Sequence, residues 1–160
     1  MRQLWAPWRM EYIESGDRKD DSCIFCTKAS EDRDAENYVL YRGASCFVIM
    51  NLYPYNNGHL MVAPYQHVPD IEALNSDVLA DIMATTQKCL AALREAMSPH
   101  GFNMGINQGA VAGAGITDHV HLHIVPRWNG DTNFMPVLAD VKVMPQHLAK
   151  TYRNIRQYLK

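Results

Sequence analysis

Three histidines occupy every second position of the segment His119-Val120-His121-Leu122-His123-Ile124-Val125, and Pro126-Arg127-Trp128 follows. In an extended strand successive side chains point to opposite faces, so the three imidazoles share one face while Val120, Leu122 and Ile124 share the other. Alternate positions lie about 6.6 Å apart along the strand, a spacing that suits ring nitrogens lining a cleft wide enough for a phosphate group. The apolar reverse face fixes the register, because a slip by one residue would bury three imidazoles and expose three aliphatics. Three readings are open: a half-buried strand with an incidental polar face, a metal site in which two of the histidines reach one zinc, or nucleophilic catalysis at phosphorus. In the last, a neutral imidazole attacks while its neighbours orient it, hold phosphate oxygens and protonate the leaving group. Three of the seven histidines fall within these five residues, which weighs against the first reading.

Other residues could share that chemistry. The loop Asn107-Gln108-Gly109-Ala110-Val111-Ala112-Gly113-Ala114-Gly115 has three glycines and only one bulky residue, so its backbone N–H groups can approach an anion closely. Alone it reads as an ordinary connection; directly before the histidine row, it would face the same cleft. His59 follows Gly58 at the start of an expected strand and by itself reads as a satisfied structural histidine. Cys23-Ile24-Phe25-Cys26 has zinc-knuckle spacing, but a closed site needs two more ligands, for which His67 and His119 are candidates. A thioredoxin-like redox motif would require a βαβ context, which the pattern lacks.

The elements that must position these groups follow from periodicity and turn chemistry. Residues 38–42 and 45–51 read as a hairpin, Tyr53-Pro54-Tyr55-Asn56-Asn57-Gly58 as a turn, and residues 59–64 as a third strand. Leu79, Ile82, Met83, Thr86, Leu90, Leu93 and Met97 recur at helical spacing, predicting a helix from Asn75 or Ser76 that ends before Pro99. Residues 102–107 form a fourth strand ahead of the histidine strand, and Leu148, Tyr152, Ile155 and Leu159 mark a C-terminal helix. Residues 14–37 read as a polar surface loop tacked down at Cys23 and Cys26. The order predicts an α+β fold with a mostly antiparallel five-stranded sheet, one long helix and a C-terminal helix. With 160 residues, 48% of them hydrophobic, the chain reads as a single domain (1–160), with a core about 20–128 and a C-terminal extension 129–160. A net charge of -2 gives no electrostatic case for nucleic acid or a membrane surface. No stretch approaches the ~20 apolar residues that cross a bilayer, and the N-terminus has no signal-peptide core, so the expected location is cytoplasmic. The four cysteines would then be reduced, with Cys46 and Cys89 filling core.

The segment 119–125 resembles the motif of the histidine-triad (HIT) family, in which His alternates with apolar residues. Asn51 through His59, Asn107-x-Gly109, Gly113 and Pro126-Arg127 fall where that family carries its other landmarks, and the match covers roughly residues 20 to 128. Trp5-Ala6-Pro7-Trp8-Arg9, Asn51-Leu52-Tyr53-Pro54-Tyr55 and Trp128-Asn129-Gly130-Asp131-Thr132-Asn133-Phe134 resemble the bacterial branch that includes diadenosine tetraphosphate phosphorylases. The resemblance implies that His121 is the nucleophile, forming a nucleotidyl-histidine at the α-phosphorus, with His123 and His59 contacting the phosphate oxygens. It places Asn51 near the ribose or base, either Asn107 or Gln108 near the bridging oxygen, and Gly113 and Gly115 in the phosphate-facing loop. It implies structural zinc on Cys23, Cys26, His67 and His119, no organic cofactor, an adenosine polyphosphate substrate, and a homodimer joined sheet edge to sheet edge. Zinc closed by four protein ligands would hold the fold and leave His121 for the chemistry. One departure stands out. Many relatives carry Gln-Ser or Gln-Thr four and three residues before the first triad His; here Gly115 and Ile116 stand there, leaving Thr117 or loop amides to contact the leaving phosphate. Purine nucleoside phosphoramidate hydrolysis, a non-catalytic nucleotide-binding adaptor and a catalytic zinc hydrolase are the rival readings.

Overall fold

The computed structural model describes residues 22–132, 144 and 146–160. The motif Trp5-Ala6-Pro7-Trp8-Arg9, the charged stretch before Asp21 and Phe134 lie outside the described residues. Two short helices, α1 (Ile24–Ser30) and α2 (Asp34–Asn37), lead into the hairpin β1 (Val39–Arg42) and β2 (Cys46–Met50), followed by β3 (Leu60–Pro64). A 3-10 turn at Ile71–Ala73 precedes the long helix α3 (Ser76–Met97); then come β4 (Gly101–Ile106), a second 3-10 turn (Ala110–Ala112), β5 (Leu122–Arg127) and α4 (Leu148–Arg156). The strands form one antiparallel sheet in the order β1-β2-β3-β5-β4. This is the α+β architecture that the sequence predicts.

Strand parity sorts the sheet into two faces. Cys46, Val48, Met50, Leu60, Val62, Val120, Leu122 and Ile124 join Ile82, Cys89 and Leu93 of α3 and Tyr152 and Ile155 of α4 in the larger core. Phe47, Ile49, Met61 and Ala63 pack with Phe25 of α1 on the reverse face. β2 and β3 are buried throughout because both of their faces are covered. Helix α3 starts where Asn75 accepts the Val78 N–H at 2.9 Å, and ends where Ser98 turns left-handed at φ 47 ahead of Pro99. Met83, read as part of its apolar stripe, is instead exposed, because it lies to one side of the buried line Ile82, Thr85, Thr86, Cys89, Ala92 and Leu93.

Two expectations change. Residues 24–37 are two helices rather than loop, and the first is clamped from its C-terminal end. The Arg42 guanidinium donates to the carbonyls of Lys28, Ala29 and Glu31 and pairs with Asp34, satisfying carbonyls that a helix leaves open. The histidine strand is also shorter than expected. Its ladder begins at Leu122: β4 ends opposite that residue at Ile106, and the pairing with β3 ends at Val62 although β3 itself runs on to Pro64. Alternation persists through that extended lead, so Val120 still joins the core. Among the described residues, no helix is long and apolar enough to cross a membrane.

Candidate active site

The three triad imidazoles emerge on the α1 side of the sheet, where Phe25 packs against His119 and His121 at ring separations of 5.1 and 4.8 Å. His123 lies beside His121 at 4.7 Å and beside His59 at 5.1 Å. His59 reaches the row because Gly58 turns the chain at φ +75 into β3; an added Cβ there would meet Met97 Sδ at 2.7 Å. Its ring is fully buried, yet it belongs to the site.

Hydrogen-bond partners fix which nitrogen carries each proton. The Tyr55 backbone N–H donates to His59 Nδ1 at 3.0 Å, so the His59 proton sits on Nε2. That nitrogen lies 2.9 Å from His123 Nδ1, to which it donates, leaving His123 protonated on Nε2. The His119 carbonyl lies 2.8 Å from His121 Nδ1 and can only accept, so His121 is protonated on Nδ1 and carries its lone pair on Nε2. Burial pushes the His121 imidazole below the ordinary histidine value, with the bond to the His119 carbonyl offsetting part of that. An oriented imidazole with a lone pair on Nε2 is the result.

His121 and His123 line a cleft that is open to solvent and encloses a volume of about 60 Å³. Asn51, Leu52, Tyr53 and Tyr55 form one wall; Ile24, Phe25 and Lys28 of α1 form the other, with Ile49 and Met61 as floor. Asn51 accepts the Tyr53 N–H and lies 3.4 Å from His59 Nδ1. From the glycine loop, Gly115 and Ile116 reach the cleft, whereas Asn107, Gln108, Gly113 and Thr117 lie outside its lining. Gln108 spends its side-chain amide elsewhere, accepting from Ile71 N–H and donating to Glu72. Thr117 donates to Asp118. Gly109 and Gly113 bracket the short turn with φ of +81 and +84, which accounts for two of the loop's glycines. The α1 wall escaped sequence reasoning: Ile24 and Phe25 stand between two cysteines that drew attention as metal ligands, and only the helix shows that the same turn also faces the cleft.

Beside this cleft, Cys23, Cys26, His67 and His119 bring four ligand atoms within 4.8 Å of one another. Cys23 Sγ and His67 Nδ1 lie 3.3 Å from His119 Nδ1, Cys26 Sγ lies 3.7 Å from it, and Cys26 Sγ lies 3.4 Å from His67 Nδ1. A tetrahedron with bonds of about 2.0–2.3 Å has edges of about 3.3–3.8 Å, so these spacings fit zinc with two sulfur and two nitrogen ligands. The chemistry of the donors agrees. His119 Nε2 donates to the Pro64 carbonyl at 2.9 Å, which turns its Nδ1 lone pair into the cluster, the outer hydrogen bond usual for a metal-bound imidazole. His121 lies outside this set.

An antiparallel sheet carries a row of imidazoles at an open cleft, one of them held with its Nε2 lone pair available. The HIT domain family model matches residues 32–130, and the chain belongs to the HIT family. It is 40% identical over 159 residues to the AP-4-A phosphorylase of Mycobacterium tuberculosis strain H37Rv, covering 96% of this chain and 82% of that protein. An uncharacterised HIT-like protein of Methanocaldococcus jannaschii is 31% identical over 68% of this chain and 81% of its own length. A zinc-bound histidine triad family protein from Mycobacterium smegmatis superposes with a TM-score of 0.69 at 29% identity, covering 86% of this chain and 92% of that one.

Proposed function

We propose that the protein cleaves dinucleoside polyphosphates of the diadenosine tetraphosphate type at an α-phosphorus, through a covalent nucleotidyl-His121 intermediate with inorganic phosphate or water as acceptor. The observation that carries this reading is the His121 ring, whose Nδ1–H is tied to a carbonyl so that Nε2 offers its lone pair. The likeness to an AP-4-A phosphorylase over 96% of the chain supports the substrate class. Nε2 forms a bond to phosphorus as the bond from phosphorus to the departing nucleotide's oxygen breaks; that nucleotide leaves as a phosphate anion, which needs no proton at neutral pH. An oxygen of phosphate or water then attacks the same phosphorus, the N–P bond breaks, and its electron pair returns to Nε2. The acceptor's proton goes to solvent.

His123 holds a phosphate oxygen through its Nε2–H during both displacements, and His59, expected to touch the phosphate too, acts through the bond that orients His123, electrostatic help that costs no reorganisation because the pair is already oriented. Asn51 and Gly115 contact the nucleotide. Of the two residues expected near the bridging oxygen, we assign Asn107, since Gln108 is engaged with the 71–73 turn; Gly113 and Thr117 complete the loop. Cys23, Cys26, His67 and His119 hold structural zinc, which contributes folding energy when bound. We also read the chain as one domain, cytoplasmic, and paired into a homodimer through a sheet edge; β4 is an outer strand with Met104 exposed. A monomeric mass in light scattering refutes that pairing.

The test is to mix the protein with diadenosine tetraphosphate labelled at the α-phosphate, quench within the first turnover, and locate label on His121 by peptide mapping. A phosphorylase releases ADP only when phosphate is present; a hydrolase releases AMP regardless. Absence of any labelled protein, or a nucleoside phosphoramidate turned over far faster than the dinucleotide, overturns the reading.

A further inference from the structure

The metal cluster and the cleft share parts. His119 turns its ring into the cluster while its carbonyl accepts the His121 Nδ1–H at 2.8 Å. Phe25 sits between Cys23 and Cys26, is fully buried, and packs on the rings of both His119 and His121. Val68, next to His67, accepts the Val120 N–H at 2.8 Å, and Val120 joins the two histidines. These three links fall ahead of the β5 ladder, which starts only at Leu122. Each runs from a ligand of the cluster, or its neighbour, to the peptide or ring that sets the facing of His121.

We propose that the cluster is an orienting device for the nucleophile: a tetrahedral divalent cation on Cys23, Cys26, His67 and His119 fixes, through the His119 peptide, Phe25 and Val68, the Nδ1–H tautomer of His121 and the direction of its Nε2. The four ligands are thereby positioning residues as well as structural ones. The metal itself touches no reacting atom. The proposal rests on the function proposed above only in calling His121 the nucleophile; the tautomer is readable without substrate.

The experiment follows the ring nitrogens of His121 by ¹⁵N NMR at pH 8, where imidazoles are neutral, in zinc-loaded wild type, chelator-stripped wild type, His67→Ala and His67→Cys. His67 is exposed, so its loss leaves both cores intact. Zinc-loaded wild type and His67→Cys, which keeps four ligands, should show one tautomer protonated at Nδ1. The stripped protein and His67→Ala should show the two tautomers averaged, with first-turnover labelling of His121 slowed about 10- to 100-fold and nucleotide affinity changed less than about threefold, the range found when groups orienting a site are removed. A single Nδ1–H tautomer that persists after metal is lost overturns the proposal, as does His67→Ala retaining a full equivalent of zinc. If stripping unfolds the chain, His67→Ala decides; if that variant is unfolded too, the metal only holds the fold and the proposal falls. A tautomer that follows the metal, with no labelled protein formed from any dinucleotide, leaves the orientation standing and removes the proposed function instead.

Discussion

Replacing His59 by Phe should separate the polar role of this buried ring from its volume. Three groups lose a partner: the Tyr55 N–H, which donates to Nδ1 at 3.0 Å, His123 Nδ1, which accepts from Nε2 at 2.9 Å, and, more weakly, the half-exposed Asn51 amide 3.4 Å from Nδ1. A buried polar group stripped of its partner costs about 1–3 kcal/mol. Tyr55 is only half-buried, so its share lies at the low end. The sum is about 2–4 kcal/mol, against a total stability of about 5–15 kcal/mol for a domain. The variant should therefore fold, with a urea midpoint well below that of wild type. His59→Gln should recover most of the loss, since its amide oxygen can take the Tyr55 N–H while its NH₂ donates to His123. Activity should follow the same order. Without a donor at Nδ1, His123 no longer keeps its proton on Nε2, and first-turnover labelling of His121 should slow at least about tenfold in the Phe variant and recover in the Gln variant. A Phe variant as stable as wild type, with unchanged labelling rate, would refute the relay from Tyr55 through His59 to His123.

Three further outcomes are expected. His121→Asn should lower turnover at least about 10³-fold and abolish the labelled adduct while leaving the protein folded, since removal of a covalent nucleophile costs transition-state stabilisation rather than core; wild-type turnover would reassign the nucleophile. Asp131 accepts from Arg127, Asn56 and the Trp128 N–H, and Arg127 beside it holds its carboxyl down at about 2, against an ordinary value near 3.8. Between those values the unfolded chain binds the extra proton, so this link stabilises above about pH 4 and fades as pH falls towards 2. The melting-temperature gap between wild type and Asp131→Asn should accordingly be full at pH 6 and shrink through that window; a gap independent of pH rejects the linkage. Gly58→Ala forces φ +75 on a residue with a Cβ and drives that carbon to 2.7 Å from Met97 Sδ, so calorimetry should find it destabilised by about 1–3 kcal/mol, and a neutral effect would mean the turn relaxes freely.

The alternation at residues 119–125 and the helical stripe at 79–97 set the facing of the triad and the long helix, because side-chain direction repeats every two residues in a strand and every 3.6 in a helix whatever the chain does elsewhere. Cysteine spacing likewise marked half of the Cys/His cluster before any fold was known. Partner choice is a different matter. Sequence distance left Asn107 and Gln108 equivalent; only the 71–73 turn, more than thirty residues away, engages the Gln108 amide. Nothing local shows that Phe25, bracketed by two cysteines, bears on a ring ninety-six positions later, or that a carbonyl of one histidine chooses the tautomer of the next but one. Those are long-range contacts, fixed when β3 and β5 pair and α1 is clamped across their face by Arg42. Periodicity decides which way a residue points, and tertiary packing decides what it meets there.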